Sequence, residues 1–330
     1  MKINKILLIV LSYFIFIINS SYAITFDEWK KNFKSRAISE GVSEKTFDLV
    51  MNNAKFLPKV IEYDRYQPEF YEDTKTYISK RTSKKKVRTG LSFYRNNKDL
   101  INDVEKNFDI EKELLLALMG IETNFGNYLG KMDIISSLST LSFDKRRSNF
   151  FTNELLIILK LIDKGTVDPN ILYGSWAGAF GNFQFMPSTI EKYAIDYNAN
   201  NIIELKNSTD SFASAANYLK KMGWKKNEPC FKQVSLKPDI PKKFLNTSAK
   251  KIKYQKKLKY YKKYINNKLT LDDSVNVAIV TPDADIVDNA KTNEPAYLVF
   301  QNYELILKWN RSLRFGLAVC TLKNKFKNEL

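Results

Sequence analysis

The chain has 330 residues, 44% of them hydrophobic and 13% aromatic, a composition that supports a sizeable ordered core divided into two or three subdomains. Its formal charge is +17, and it contains no histidine. Ser-His-Asp and Cys-His catalysis are thereby excluded and a zinc hydrolase is disfavoured, which leaves carboxylates, Tyr, Ser, Lys and Cys to carry any chemistry.

In chain order, Met1 to Lys5 is basic, Ile6 to Ile18 is a mostly apolar run of thirteen residues, and Ser21 and Ala23 are small. The pattern predicts a secretory signal cleaved after Ala23, since thirteen residues are short for a bilayer span; an uncleaved anchor is the alternative. No cysteine lies near the cleavage point, so lipid attachment is not expected. Loss of Lys2 and Lys5 with the leader lowers the charge to +15, and a basic exported protein is drawn to anionic wall polymers and membrane surfaces.

Thr25 and Glu28 have the spacing of a capping box and predict a first helix; Gly41 ends it, and Ser43 to Asn52 predicts a second. Residues 56–70, with Pro58 and Pro68, are expected to be irregular. Residues 71–108 are charged and helix-compatible, with Lys84, Lys85 and Lys86 expected on a solvated face. The clearest helix runs from Glu111 to Thr123, and helical pattern continues over 133–163 until Gly165 and Pro169. Gly174 to Pro187 alternates small and aromatic residues without a period, as in a loop that brings backbone close to something. Ser188–Tyr193 and Ser211–Met222 are helical in pattern. Val275–Thr281 and Ala296–Phe300 predict strands of a small accessory sheet, followed by helices at Tyr303–Lys308 and Ser312–Thr321.

Two features stand apart from this pattern. Residues 242–268 hold eleven lysines and no acid, with Tyr254, Tyr260, Tyr261 and Tyr264 interleaved. Lysine with aromatics suits nucleic acid, but an export signal argues against that partner, and a solvated, lysine-biased insertion is the preferred reading. Cys230 and Cys320 are the only cysteines; they either pair across about ninety residues or remain as two buried thiols.

Glu122 closes the apolar run that begins at Leu114. Burial penalises the charged form of an acid, so a glutamate there is expected to keep a proton and to donate it to a leaving oxygen, as glycosidic cleavage requires. Alone this is a weak signal. It gains weight from Gly174-Ser175-Trp176-Ala177-Gly178-Ala179-Phe180-Gly181 leading into Asn182-Phe183-Gln184-Phe185-Met186-Pro187, from Ala215-Ala216-Asn217-Tyr218-Leu219, and from Trp309-Asn310-Arg311-Ser312.

Together these segments resemble the lytic murein transglycosylases of the membrane-bound B type, a lysozyme-like family acting on peptidoglycan. Gln67-Pro68-Glu69-Phe70 and Leu138 to Phe143 also fit, so the resemblance covers nearly the whole mature chain. It implies a mainly α (α+β) fold: an N-terminal helical region at 24–107, a lysozyme-like core at 108–228, a lysine-rich segment with a small β subdomain at 229–300, and C-terminal helices returning to the core at 301–330. It implies Glu122 as single acid and base, protonating the oxygen between N-acetylmuramic acid and N-acetylglucosamine. Glu122 then deprotonates the C6 hydroxyl, which closes a 1,6-anhydro ring. The Gly174–Ser188 loop contains no Asp or Glu, which fits a one-acid, substrate-assisted mechanism unless Asp144 or another distant acid folds in.

By the same resemblance Ser175 holds the reacting sugar, unless it serves loop geometry, and Gln184 lines the cleft, unless its amide is spent structurally. Tyr218 and Asn310 lie near the acid and the sugar. Trp176, Phe180 and Phe183 either stack on sugars or belong to the core. Trp309 and Phe315 replace tyrosines common in the family, each losing a hydroxyl from the cleft. Asp196, Asn198 and Asn200 have the spacing of a calcium loop, but Asn201 replaces its glycine and Asn207 its bidentate acid, so no cofactor is expected. The implied setting is the periplasm, with peptidoglycan strands as partner, possible contacts with cell-wall synthesis proteins, no nucleic acid and a monomeric state. A hydrolytic lysozyme or chitinase, and a non-catalytic wall-binding protein, are the competing readings.

Overall fold

The computed structural model describes residues 24–66, 72–284 and 293–330. The leader and the Gln67–Phe70 motif lie outside the described residues.

Seven helices lead to the candidate acid: α1 (Phe26–Ser39), α2 (Glu44–Met51), α3 (Pro58–Arg65), α4 (Thr74–Arg81), α5 (Lys84–Asn96), α6 (Lys98–Phe108) and α7 (Lys112–Thr123). Thr25 and Glu28 form the expected reciprocal capping box of α1. Ser43, Asp73 and Ser83 each accept a backbone N–H at the start of their helices, and breaks at Ser83 and Asn97 divide the charged 71–108 stretch into three. The expectation of irregular structure over 56–70 is corrected by α3. Pro58 occupies its first turn, where the missing N–H is no loss and the fixed φ starts a helix rather than breaking one.

A two-residue strand β1 (Met132–Asp133) precedes α8 (Ile134–Phe143) and α9 (Ser148–Asp163), and pairs antiparallel with β2 (Tyr173–Gly174). Then come α10 (Pro187–Tyr193) and α11 (Ser208–Lys221). α11 begins three residues before its expected start, because Asn207 accepts the N–H of Thr209 as its cap. The fold is mainly helical, with all of Leu114–Gly120 on α7 buried at its centre.

The accessory sheet comprises β3 (Phe231–Val234), β4 (Leu245–Asn246), β5 (Lys256–Lys257), β6 (Asn276–Val280) and β7 (Ala296–Val299). β7 lies between β3 and β6, antiparallel to both; β4 pairs parallel and β5 antiparallel with β6. Successive side chains alternate faces, and here both faces are covered. Ala278, Val280, Tyr297 and Val299 join the main core, whereas Val277, Ile279, Ala296 and Leu298 face a second cluster with Leu258, Tyr261 and Ile265. The lysine-rich segment therefore does more than fill space between core elements: its apolar residues cap the sheet.

α12 (Gln301–Trp309) and α13 (Leu313–Lys327) return the chain to α7. Cys230, just before β3, and Cys320 on α13 form a disulfide with Cα atoms 6.1 Å apart. It closes the sheet onto the core, and its loop of 90 residues corresponds to about 4.6 kcal/mol of loop-closure entropy.

Candidate active site

The last turn of α7 carries Glu122, half-buried. Beyond it Asn124, Phe125 and Gly126 all adopt positive φ, at 51°, 59° and 81°. Such a run ends the helix at once, and for Phe125 it is a sterically costly backbone that the surrounding packing must hold. Gly120 is required one turn earlier, since a Cβ there would stand 2.7 Å from the Phe125 ring.

Thr123 ties this terminus to the small-residue loop: its hydroxyl donates to the Asn182 carbonyl at 2.8 Å and accepts the N–H of Gly126 at 3.1 Å. Asn182 is buried and donates in turn to Lys206 O and Ser211 Oγ. Gly181, at φ 80°, passes so close to Leu205 that a Cβ would meet its backbone at 2.6 Å. The loop is thus clamped between α7 and the start of α11.

Trp309, at the end of α12, donates its indole Nε1–H to Glu122 Oε1 at 3.1 Å. Where the family often has a phenolic hydroxyl, Trp309 presents an indole N–H donor. Its ring is the last of three: Tyr193 stacks on Tyr218 at 4.4 Å, and Tyr218 on Trp309 at 4.9 Å. Phe185 meets the same indole edge-on at 5.3 Å. Phe315 lies buried in α13, so its lost hydroxyl concerns the core rather than the cleft.

A cavity of about 330 Å³ opens on Glu122, lined also by Ser83, Lys85, Lys86, Thr89 and Tyr128. Glu122 is the one carboxylate among its lining residues. Asp144 is instead paired with Arg65 at 2.8 Å. Lys86 departs from the solvated face expected of its lysine run. It is half-buried and donates to Gly120 O at 2.7 Å, and burial, with Arg81 nearby, holds its ammonium below the usual lysine range. Sequence reasoning missed it because a charge run carries no sign of which member turns inward. A larger cavity, about 830 Å³, lies between α4, α13 and the sheet, but it contains neither Glu122 nor any of the motif residues.

Ser175, Gln184, Tyr218 and Asn310 all lie outside the residues lining the Glu122 cavity. Ser175 Oγ accepts the N–H of Ala179 at 3.0 Å, closing its own turn and keeping a proton to donate. Gln184, at φ 50°, spends its amide on Gly181 O at 2.9 Å and Leu129 O at 3.3 Å, which joins the loop to the chain just after Glu122. Tyr218 donates to Lys308 O at 3.4 Å; burial, aided by the neighbouring Tyr193, pushes its hydroxyl up to about 12. Asn310 directly follows Trp309, and among the described residues its side-chain amide makes no hydrogen bond. Phe180 and Phe183 are core residues, 1% and 2% exposed, whereas Trp176 is half-buried.

The calcium spacing does not produce a fitting donor set. Both carboxylate oxygens of Asp196 accept backbone N–H groups, from Asn200 at 3.1 Å and Asn201 at 2.6 Å. Asn207, where a bidentate acid belongs, is neutral and committed to capping α11.

The family model described as Transglycosylase SLT domain matches residues 25–324. The chain belongs to this lytic transglycosylase family. It is 36% identical over 143 residues to membrane-bound lytic murein transglycosylase B of Escherichia coli, a match spanning 43% of the chain and 40% of that protein. SltB3 of Pseudomonas aeruginosa, crystallised in complex with NAG-NAM-pentapeptide, superposes with a TM-score of 0.80 at 29% identity, over 92% of this chain and 80% of that one. Slt35 of Escherichia coli, crystallised in complex with calcium, shares the fold, with a TM-score of 0.74 at 24% identity over 91% and 93% of the two chains.

Proposed function

We propose that the chain is a peptidoglycan lytic transglycosylase, cleaving the β-1,4 bond between N-acetylmuramic acid and N-acetylglucosamine and leaving a 1,6-anhydromuramoyl end. The observation that carries this reading is Glu122, the one carboxylate lining its cavity. Hydrolytic glycosidases commonly place two carboxyl groups across the bond, one for the leaving group and one for water or the sugar. With a single acid the second role falls to the substrate.

Glu122 donates its proton to the glycosidic oxygen, and the C1–O bond breaks with the departure of N-acetylglucosamine. The N-acetyl oxygen of the muramoyl residue shields the developing charge at C1. The resulting Glu122 carboxylate then takes the proton of the C6 hydroxyl as that oxygen bonds to C1. No water enters and the acid is regenerated. Trp309 steadies the carboxylate form between the two proton transfers, since its N–H can only donate. In this reading the Asn310 amide orients the N-acetyl group, and the Ser175 hydroxyl and the side-chain oxygen of Gln184 hold sugar hydroxyls.

SltB3 was crystallised with NAG-NAM-pentapeptide, which supports a wall glycan as the substrate class. The leader-like N-terminus supports export to the periplasm, where that polymer lies. No helix among the described residues is long and apolar enough to cross a membrane.

Digestion of purified sacculi by wild type and Glu122→Gln, read by mass spectrometry, tests the proposal. Wild type is expected to release muropeptides lighter by one water than reducing ends, and the variant to release none. Reducing ends alone would assign a hydrolase, and undiminished lysis by the variant would remove Glu122 from its role.

A further inference from the structure

The basic charge of the protein is a local device. Of the +15 carried by residues 24–330, eleven charges belong to residues 242–268, so all other residues together net only +4. All eleven lysines are exposed, and among the described residues only Lys262 has an acidic partner, Asp273.

Local geometry sorts the segment into two faces. Residues 258–264 form two successive 3-10 turns, in which side chains three apart share a face. Leu258, Tyr261 and Tyr264 turn inward against the sheet. Lys256, Lys257, Lys259, Tyr260, Lys262 and Lys263 are left together outside. The ammonium groups of Lys256 and Lys259 both lie over the Tyr260 ring, 5.6 and 5.4 Å from its centre, with no carboxylate between them. Tyr260 itself is 55% exposed. Like charges gathered on one exposed ring repel, and a bound anionic surface relieves that repulsion.

We propose that this face docks the protein on an anionic phospholipid surface. Clustered lysines lie among lipid phosphates at a gain of about 1 kcal/mol each, and an exposed tyrosine, apolar in body and polar at its tip, suits the headgroup layer between them. A glycan strand offers the first interaction only through scattered stem carboxylates, and it has no interfacial layer for the ring. Docking does not depend on Glu122, so it stands or falls separately from the cleavage chemistry.

The test is co-sedimentation of the full chain with vesicles of phosphatidylglycerol and phosphatidylcholine, or of phosphatidylcholine alone. Any contribution of residues 1–23 is common to wild type and variants, so the ratio of the two affinities is read. Wild type is expected to prefer anionic vesicles and to lose the preference as salt rises. The variant K256Q, K257Q, K259Q, K262Q and K263Q should lose about 100-fold or more of that ratio with its melting temperature unchanged. Lys259→Glu alone should lose part of it, which covers the case of an unstable multiple variant. A wild-type ratio near one overturns the proposal. So does a multiple variant that keeps its ratio, including one that instead loses binding to purified sacculi or to DNA.

Discussion

Helix α7 carries a glutamate at each end, and the two have opposite fates. Glu111, at the N-terminal cap, is 5% exposed and fully engaged: Lys323 donates to it at 2.8 Å, Trp224 Nε1–H at 2.6 Å and Asn227 N–H at 2.9 Å. Burial pushes its carboxyl up, but the Lys323 ammonium and the two N–H donors outweigh burial and hold it below the usual range. The positive end of the helix dipole favours a carboxylate there. Glu122 sits at the negative end, where the dipole disfavours a carboxylate by several tenths of a kcal/mol, and it opens on a cavity. One carboxylate is enclosed by an ammonium and two N–H donors, whereas the other accepts the Trp309 indole N–H and faces a cavity.

The sharpest way to break this contrast is Glu122→Gln. It is expected to lower the rate of anhydro-muropeptide release by about 10³-fold or more, the upper range for a general acid–base, while the melting temperature stays within a degree or two. Glu111→Gln should do the reverse. It leaves a buried ammonium with no anion, which costs about 3–5 kcal/mol of stability in urea or thermal unfolding, while the rate per folded molecule persists at low temperature. The sign with pH follows from the depressed carboxyl. Its stabilisation is complete above the ordinary glutamate value of 4.5 and is lost as pH falls through the lower folded value, so wild type should weaken in that acid window and Glu111→Gln should show a shallower slope.

The helical skeleton, and the position of Glu122 at the end of a buried run, were legible because caps and the run on α7 are local signals. The strands β6 and β7 were legible from their β-branched residues, whereas β3, β4 and β5 were not. Phe231–Val234 acquires its meaning only from pairing with β7, and two-residue strands have no period to read. The disulfide and the Lys323–Glu111 pair bridge separations of 90 and 212 residues, for which spacing gives no clue. Within the site, the sequence marked Trp309 as an anomaly but could not show its indole aimed at Glu122.

Trp309 offers the intermediate effect. Trp309→Phe keeps a ring against Tyr218 and removes the donor, and a hydrogen bond to a charged group is worth about 1.5–3 kcal/mol, so kcat should fall about 10- to 100-fold with little change in KM. The alkaline limb of the pH–rate profile, where Glu122 loses the proton it must donate, should move toward higher pH, because a stabiliser of the charged carboxylate has gone. Trp309→Tyr should recover part of both. A loss of activity that tracks unfolding, with the pH profile unmoved, would reduce the indole to packing.

Lys86 gives the smallest effect and the finest test of the two ends. The turn after Thr123 directs the N–H groups of Asn124 and Phe125 to Met119 O, so Gly120 O depends on the Lys86 ammonium for a partner. A cation there also opposes the negative end of the dipole that Glu122 faces. Lys86→Met, which keeps the apolar stem, should cost about 0.3–1 kcal/mol of stability and change the rate only several-fold. The paired substitution Lys86→Met with Glu122→Gln separates the two contributions. If the cation acts only on the helix terminus, its stability cost is the same with or without the carboxylate. If it acts through Glu122, the cost changes by a measurable coupling in the double-mutant cycle.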